Sequence, residues 1–273
     1  MSSEKTQDAG SHRNRFFCGA AVGVFQAFAF NPVDRALYLA VIKSRSLFVA
    51  ANWSTPLTGV GISCVQRTLS VGLFFPLEDL FRPVIETHIA SPHVAASLAG
   101  IGCGLFSAVT LNPIALVKYN SWRTSNSLDR IIQEGMRTVH TNGWRYLGRA
   151  VGSTILRDST FGATYSFLRH VDFRNGEFLS RSQGPATECA AAVIATILSS
   201  PFNYARNMQY GAPGPTPRVV DILWALALET RLRGCGHLIQ RLQLVYAPFR
   251  TAFAMAFGAG CYNMCVRPDG QSE

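Results

Sequence analysis

Long uncharged stretches alternate with short charged ones along this chain. Residues 94–117, 189–205 and 251–266 contain no Asp, Glu, Lys or Arg over 24, 17 and 16 positions. A helix that crosses a bilayer needs about 20 mostly apolar residues. The pattern therefore predicts membrane-spanning helices. A mean hydropathy of only +0.15 indicates that the other spans carry polar groups.

An internal repeat organises these stretches, and three prolines mark it. Pro32, Pro113 and Pro201 lie in the segments NPVD, NPIA and SPFN, 81 and 88 residues apart. Small residues stand thirteen and nine positions before the first two prolines, at Gly19, Gly23, Gly100 and Gly104. Small residues at this spacing let neighbouring membrane helices approach closely. Each proline thus marks a predicted apolar helix that packs tightly against another.

Each repeat continues with a second apolar segment that has one arginine near its middle. Arg67 lies in CVQRTLSVG, Arg157 in TILRDSTFG and Arg250 in PFRTAFAM. The proline-to-arginine distance varies, as expected when insertions fall in loops on one face of a repeat protein. Three repeats of two helices predict six spans in one domain covering residues 1–273. The predicted boundaries are a polar N-terminal tail at 1–14 and repeats at 15–86, 94–174 and 186–267.

Shorter amphipathic segments connect the predicted spans. Leu128–His140 is predicted to be a helix, because its apolar residues fall along one face. Val219–Thr230 is predicted to be the corresponding helix of the third repeat, and a loop rich in Gly and Pro precedes it at 211–217. The linker of the first repeat, Ser44–Pro56, is short.

Composition narrows the class of protein further. The net charge of +9 comes from scattered Lys and Arg, mostly at the ends of apolar runs. Without a basic stripe interleaved with aromatics, it favours an anionic membrane surface over nucleic acid. Seven dispersed cysteines without a CxxC pair indicate small buried residues, not disulfides or zinc ligands. Residues 1–14 lack the features of a secretory signal or a transit peptide.

Catalytic motifs are missing from the sequence. It contains no HExxH and no GxxxxGK[ST], and no carboxylates are paired at catalytic spacing. The six histidines fall mainly in predicted loops or at helix ends. We therefore expect neither an enzyme nor a bound cofactor or metal.

The repeated motif, a proline followed by an acid and then a base, resembles that of the mitochondrial carrier family. The resemblance runs from about Arg15 to Arg267. It implies an all-α protein of the mitochondrial inner membrane, with six transmembrane helices in three pseudo-symmetric two-helix repeats around a central cavity. Short amphipathic helices would lie on the matrix side. In that family the prolines, here Pro32, Pro113 and Pro201, kink alternate helices.

In the family, each acid after a proline pairs with the base of the next repeat and closes the cavity on the matrix side. The acid positions here hold Asp34, Ala115 and Asn203, and the base positions hold Leu37, Lys118 and Arg206. The resemblance thus implies a matrix gate with one ion pair, Asp34 with Lys118. Because an unpaired buried charge is costly, we expect Arg206 to face water, carbonyls or substrate. A gate with one bridge should also open easily.

The family has a second gate on the cytosolic side, formed by an aromatic-acid-x-x-base motif. Glu78, Asp79 and Arg82 match it without the aromatic residue, and Tyr262 matches it in the third repeat. Residues 168–172 lack the acid–base order, so this gate also should be weak. The resemblance further implies that the turn from Gly143 to Gly148 binds cardiolipin through backbone donors.

Ionisable residues inside a membrane usually face an aqueous cavity. Arg67, Arg157 and Arg250 occupy matching places, which predicts three guanidinium groups at similar depth in one pore. The resemblance makes them substrate contacts, with Asp158 beside Arg157 as an added acid. In the family such a pair accompanies amino acids and related zwitterions, the arginine taking the carboxylate and the acid the amine. Two alternatives stay open at this point. The substrate could be a nucleotide or a dicarboxylate, and the Arg157–Asp158 pair could have a purely structural role.

The sequence therefore predicts a monomeric transporter that moves a small anionic or zwitterionic metabolite by alternating access. An amino acid is weakly preferred as its substrate. The alternative is a non-transporting adaptor or receptor in a mitochondrial membrane, since a protein that never alternates needs no gates. The three cavity arginines favour the transporter.

Overall fold

The structure, a computed structural model, describes residues 2–124, 128–169 and 185–266. Every regular element within these ranges is a helix, which confirms the all-α prediction. The helices are α1 (Ser2–Ile42), α2 (Val60–Glu86), α3 (Pro92–Thr124), α4 (Leu128–Asn142), α5 (Val151–Arg169), α6 (Pro185–Gly211), α7 (Val219–Arg233), α8 (Cys235–Arg241) and α9 (Tyr246–Val266).

The six longest helices form a ring. Helices α1, α2, α3, α5, α6 and α9 each pack against the next, and α9 packs back against α1. Helices α1, α3 and α6 have their C-terminal residues at the same end of the ring, which we call the link end. We call the other end of the ring the opposite end. The division into three repeats, and the crossing of a membrane by all six helices, stay predictions.

The outer surface of this ring is apolar. By length and composition α2 and α3 could each cross a membrane. Large apolar side chains are exposed on all six ring helices, namely Val24, Phe25 and Phe28 on α1, Val65 and Val84 on α2, Leu98, Ile101, Leu105 and Val109 on α3, Leu156 on α5, Ile194, Ile197 and Leu198 on α6, and Phe249 and Phe253 on α9. An exposed apolar surface of this extent marks a contact with another apolar phase or partner.

The repeat prolines lie inside ring helices. Pro32, Pro113 and Pro201 belong to α1, α3 and α6, and each helix continues beyond its proline. Proline removes one backbone hydrogen bond from a helix interior. These positions are therefore local weak points in otherwise continuous helices.

Two buried asparagines tie these weak points to the link end. The Asn31 amide donates to the carbonyls of Pro56 and Thr58, at 2.9 and 3.2 Å. The Asn112 amide likewise donates to the Leu147 carbonyl at 2.6 Å. Each asparagine thus joins the first helix of a pair to the turn that leads into the second.

The connecting segments agree with the sequence prediction in their helical parts. Helix α4 covers the predicted segment Leu128–His140, and α7 covers Val219–Thr230. The Gly- and Pro-rich loop follows directly on the end of α6 at Gly211. The polar N-terminal residues from Ser2 onward form the start of α1.

Arginines from the link segments hold the ends of two ring helices. Arg149 donates to the carbonyls of Gln209, at 2.8 Å, and Ala212 at the end of α6. Arg241 donates to the Val41 carbonyl at 3.0 Å, at the end of α1. The last carbonyls of a helix have no partner within the helix, so these contacts satisfy them. Burial lowers the pKa of Arg149, but an arginine keeps its charge at neutral pH.

Candidate functional site

The three arginines of the sequence prediction meet inside the ring. Arg67 on α2, Arg157 on α5 and Arg250 on α9 all line the same pocket. Three adjoining pockets of about 90, 90 and 120 Å³ make up the central cavity, and Arg67 and Arg157 line every one of them. The structure thus places the three guanidinium groups around one space, as the matching positions predicted.

Close helix packing fixes how deep these arginines lie. A Cβ atom on Gly23 of α1 would stand 2.6 Å from the backbone oxygen of Arg67. A Cβ atom on Gly104 of α3 would collide with the backbone oxygen of Asp158, the neighbour of Arg157. Real Cβ atoms do not approach other atoms this closely, so these positions require glycine. The predicted close approach is confirmed at Gly23 and Gly104, where α1 packs on α2 and α3 packs on α5.

Asp34 bonds to two of the arginines. Its Oδ2 atom accepts from Arg67 at 3.2 Å and from Arg250 at 2.6 Å. The implied pair of Asp34 with Lys118 is therefore not the arrangement of this structure. The reason is the order of the ring: α2 and α9 flank α1, so their arginines reach Asp34 from both sides.

Lys118 instead packs against aromatic rings. Its Nζ atom lies 4.9 Å from the ring centroid of Tyr119 and 4.7 Å from that of Trp122. Arg206 lies 5.6 Å from the Tyr119 centroid and donates to the Tyr119 hydroxyl at 2.9 Å and to the Asn203 side-chain oxygen at 2.6 Å. Lys118, which is not bonded to Asp34, thus faces aromatic rings, and Arg206, whose family acid is replaced by Ala115, faces a ring, a phenol and an amide.

An aromatic cluster fills the space between α1, α3 and α6 at the link end. Tyr38, Tyr119, Trp122 and Tyr210 are buried together, with the Tyr119 and Tyr210 rings stacked at 4.5 Å. The Tyr38 ring lies 4.8 Å from Tyr119. Sequence reasoning missed this cluster. The repeat register could have found it, because Tyr38 and Tyr119 stand at the same offset from their prolines, as do Trp122 and Tyr210.

A buried ion network joins three helices at the opposite end. Arg169 of α5 donates to Glu78 of α2 at 2.7 Å and to Glu188 of α6 at 3.0 Å. The Tyr165 hydroxyl also donates to Glu188. Sequence reasoning placed Glu78 in a weak gate but missed Arg169 and Glu188, because neither fits the family order. The cytosolic gate and its strength stay predictions, and the structure adds an ion network between α2, α5 and α6 at this end.

The other residues predicted for the cytosolic gate are Asp79, Arg82 and Tyr262. Asp79 is exposed, and Arg82 donates to Glu86 one turn further along the same helix, at 2.7 Å. The side chain of Tyr262 lies outside the described part of the structure.

The predicted lipid-binding turn is open to its surroundings. Gly143 and Gly148 are exposed, and nothing lies within 4 Å of a Cβ built on either. Gly143 has a φ of +74°, in the left-handed region that favours glycine. Cardiolipin binding at this turn stays a prediction.

Positive charge dominates the central cavity. The described residues that line it include five cations, Arg67, Lys118, Arg157, Arg206 and Arg250, and two carboxylates, Asp34 and Asp158. Both carboxylates are bonded to arginines, since Arg157 donates to Asp158. The summed field favours an anionic or zwitterionic ligand.

The sequence is similar to that of a mitochondrial glycine transporter from Ovis aries. The two are 24% identical over 214 residues, which are 68% of this chain and 67% of that protein. No protein-family model matches the chain. The similarity supports a carrier-type transporter in a mitochondrial membrane, and it favours a protein that is not an enzyme.

Proposed function

We propose that this protein is a six-span transporter of the mitochondrial inner membrane that moves a small anionic or zwitterionic metabolite by alternating access. The observation that carries the proposal is the meeting of Arg67, Arg157 and Arg250 inside the helix ring. The similarity to a transporter supports it independently.

The distribution of polarity supports a membrane location for all six ring helices. Large apolar side chains are exposed on each helix, whereas five cations and two carboxylates of the described residues converge on the central cavity. A soluble protein has the reverse arrangement, with its apolar residues inside. Lipid requires an apolar outer face, and a water-filled cavity can hold the charges.

Each pocket of the cavity has room for a small solute, whereas a nucleotide would have to occupy several of them at once. Its pockets measure about 90 to 120 Å³ each. Sites for drug-sized ligands typically measure about 300–1,000 Å³. Glycine is the first candidate, because it is the substrate in the name of the similar protein.

A zwitterion could divide its two charges between Arg157 and Asp158. These side chains bond to each other. An amino acid would offer its carboxylate to the guanidinium group and its amine to the Asp158 carboxylate, so one contact pair would be exchanged for two. An arginine fork binds a carboxylate with two parallel hydrogen bonds.

Alternation would require that the two ends open in turn. The link end is closed by the aromatic cluster, and the opposite end is tied by Arg169 to two glutamates. A ligand shifts such an equilibrium only by binding the two states with different affinities. The cavity arginines are placed to supply that difference, because Arg67 and Arg250 also hold Asp34 near the link end.

The test is uptake of labelled glycine, with other amino acids, dicarboxylates and nucleotides, into liposomes that contain the purified protein. We expect uptake of an amino acid, and we expect Arg157→Ala to reduce it at least about 100-fold, because a lost charged contact is worth roughly 3 kcal/mol. Arg231→Ala, at an exposed position on α7, is the matched control and should leave uptake unchanged.

Three other results would change the proposal in different ways. Uptake of dicarboxylates or nucleotides alone would keep the transporter and reject the zwitterion. Uptake that is equal in the parent protein and in a folded Arg157→Ala protein would reject the contact role of Arg157. No uptake of any solute by a folded protein would favour the non-transporting adaptor.

A further inference from the structure

A second group of cations in the cavity lacks a carboxylate partner. Lys118 and Arg206 form no ion pair with any carboxylate in the described ranges, since Asp34 and Asp158 are bonded to the three arginines. Lys118 is only 6% exposed. Asp34 and Asp158 act on these two cations only at longer range, while each is bonded to arginine. A buried charge without a bonded counter-charge is unfavourable, and ring faces compensate it less well than a carboxylate.

A pocket lies where the missing acid would stand. Ala115 itself lines it, together with Lys118, Arg206, Arg67 and Arg157. Among the described residues, Asp158 is the carboxylate that lines this pocket, and it is already paired with Arg157. We call this space the Ala115 pocket. Four cations around one neutralised carboxylate attract an anion, and hydroxyls from Ser107 and Thr154 also line the space.

The volume of the pocket limits what can fill it. It measures about 90 Å³. A water molecule occupies about 30 Å³ in the liquid, so the pocket has room for a carboxylate group or a small anion. A small monovalent anion therefore has about the volume and the charge that an aspartate side chain at position 115 would supply.

We propose that the Ala115 pocket is a second anion-binding site, in which a small monovalent anion lies between Lys118 and Arg206 and replaces the missing acid of α3. The anion is either the carboxylate of the transported solute or a free ion from solution. This inference concerns binding and goes beyond the proposed transport, so it can be tested on protein that transports nothing.

The experiment measures the thermal unfolding midpoint of the purified full chain in detergent against sodium formate. Sodium gluconate, a much larger anion, keeps the ionic strength constant and controls for screening. A ligand that binds only the folded state raises the midpoint. We expect formate to raise it for the parent chain, and equally for Lys43→Met, which removes an exposed lysine outside the cavity.

Three variants probe the site directly. Ala115→Asp should unfold at a higher midpoint without formate and should show no response to it, because the chain then supplies its own anion. Ala115→Asn occupies the same space without charge, and should lose the formate response without the rise in midpoint. Lys118→Met should weaken the apparent Kd for formate at least about tenfold, because a charge-assisted contact is lost.

A formate response of equal size in the parent, Ala115→Asp and Lys118→Met proteins would overturn the proposal, as would no response in the parent. Lys118→Met keeps the test decisive if Ala115→Asp does not fold. Adding glycine separates the two sources of the anion. Competition with formate would assign the pocket to the carboxylate of the solute, and independent binding would assign it to a free ion.

Discussion

Asp34 and Asp158 are the two carboxylates among the described residues that line the central cavity, and both are bonded to arginines. Asp34 has two such bonds and lies three residues before Leu37, where the family has a base. An anionic solute that binds Arg67 or Arg250 must compete with Asp34 for the same donors. The aspartate is therefore expected to set the affinity of the site for anions.

Replacement of Asp34 by Asn should strengthen solute binding. Asp34→Asn releases the guanidinium groups of Arg67 and Arg250 from a charged acceptor. We expect the apparent KM for an anionic or zwitterionic solute to fall about tenfold, as a hydrogen bond to a charged group is worth about 1.5–3 kcal/mol. The measurement is concentration-dependent uptake into liposomes. Asp221→Asn, at an exposed position on α7, is the control, and an unchanged or higher KM for Asp34→Asn would contradict the competition.

At the scale of helices, aromatic packing is the main contact at the link end. The sequence suggested that a link end with one bridge opens easily. In the structure Tyr38, Tyr119, Trp122 and Tyr210 also pack together at this end, and how easily it opens stays a prediction. Each aromatic pair contributes about 0.5–1.5 kcal/mol beyond its buried area. A count of ion pairs therefore leaves out the aromatic contacts, which also stabilise this end.

The seating of α2 against α1 depends on Gly23. Gly23→Ala should lower the free energy of unfolding by about 1–3 kcal/mol, because the new methyl group would stand 2.6 Å from the Arg67 carbonyl and the helices must separate. Gly61→Ala on α2 is the matched control. Nothing lies within 4 Å of its Cβ, so the substitution should be neutral or stabilising. Thermal unfolding of both variants in detergent is the measurement, and equal midpoints would show that the close contact does not matter.

At the scale of the whole molecule, the two ends of the ring are stabilised by different interactions. The link end is packed with aromatic rings, and the opposite end is held by an arginine between two buried glutamates. Buried ion pairs stabilise little in net terms, but the removal of one partner leaves a costly charge. The opposite end should therefore respond more sharply to a single substitution of charge.

Loss of Arg169 should destabilise the whole ring. Arg169→Met leaves Glu78 and Glu188 buried without their shared cation, which costs about 3–5 kcal/mol. The triple variant that also carries Glu78→Gln and Glu188→Gln should regain part of this loss, because the uncompensated charges are removed. Chemical or thermal unfolding in detergent measures both, with Arg231→Met as an exposed control. A triple variant no more stable than Arg169→Met would argue against the charge explanation.

The sequence by itself determined the features that depend on local order along the chain. Uncharged runs, repeated prolines and small residues at helical spacing predicted the all-helical fold and the close approach at Gly23 and Gly104. Matching offsets predicted that Arg67, Arg157 and Arg250 line one cavity. These properties repeat with the period of the helix or of the repeat, so they can be seen without knowing which helices are neighbours.

Only the tertiary structure decided which side chains are partners. Asp34 meets Arg67 and Arg250 across 33 and 216 positions of sequence, and Arg169 meets Glu78 across 91. The aromatic cluster likewise joins residues of three helices. The pairing of a carboxylate depends on distances of a few ångströms between helices, because several cations compete for it and the nearest ones bond to it. A family pattern assigns those partners by order, and here the ring geometry assigns them differently.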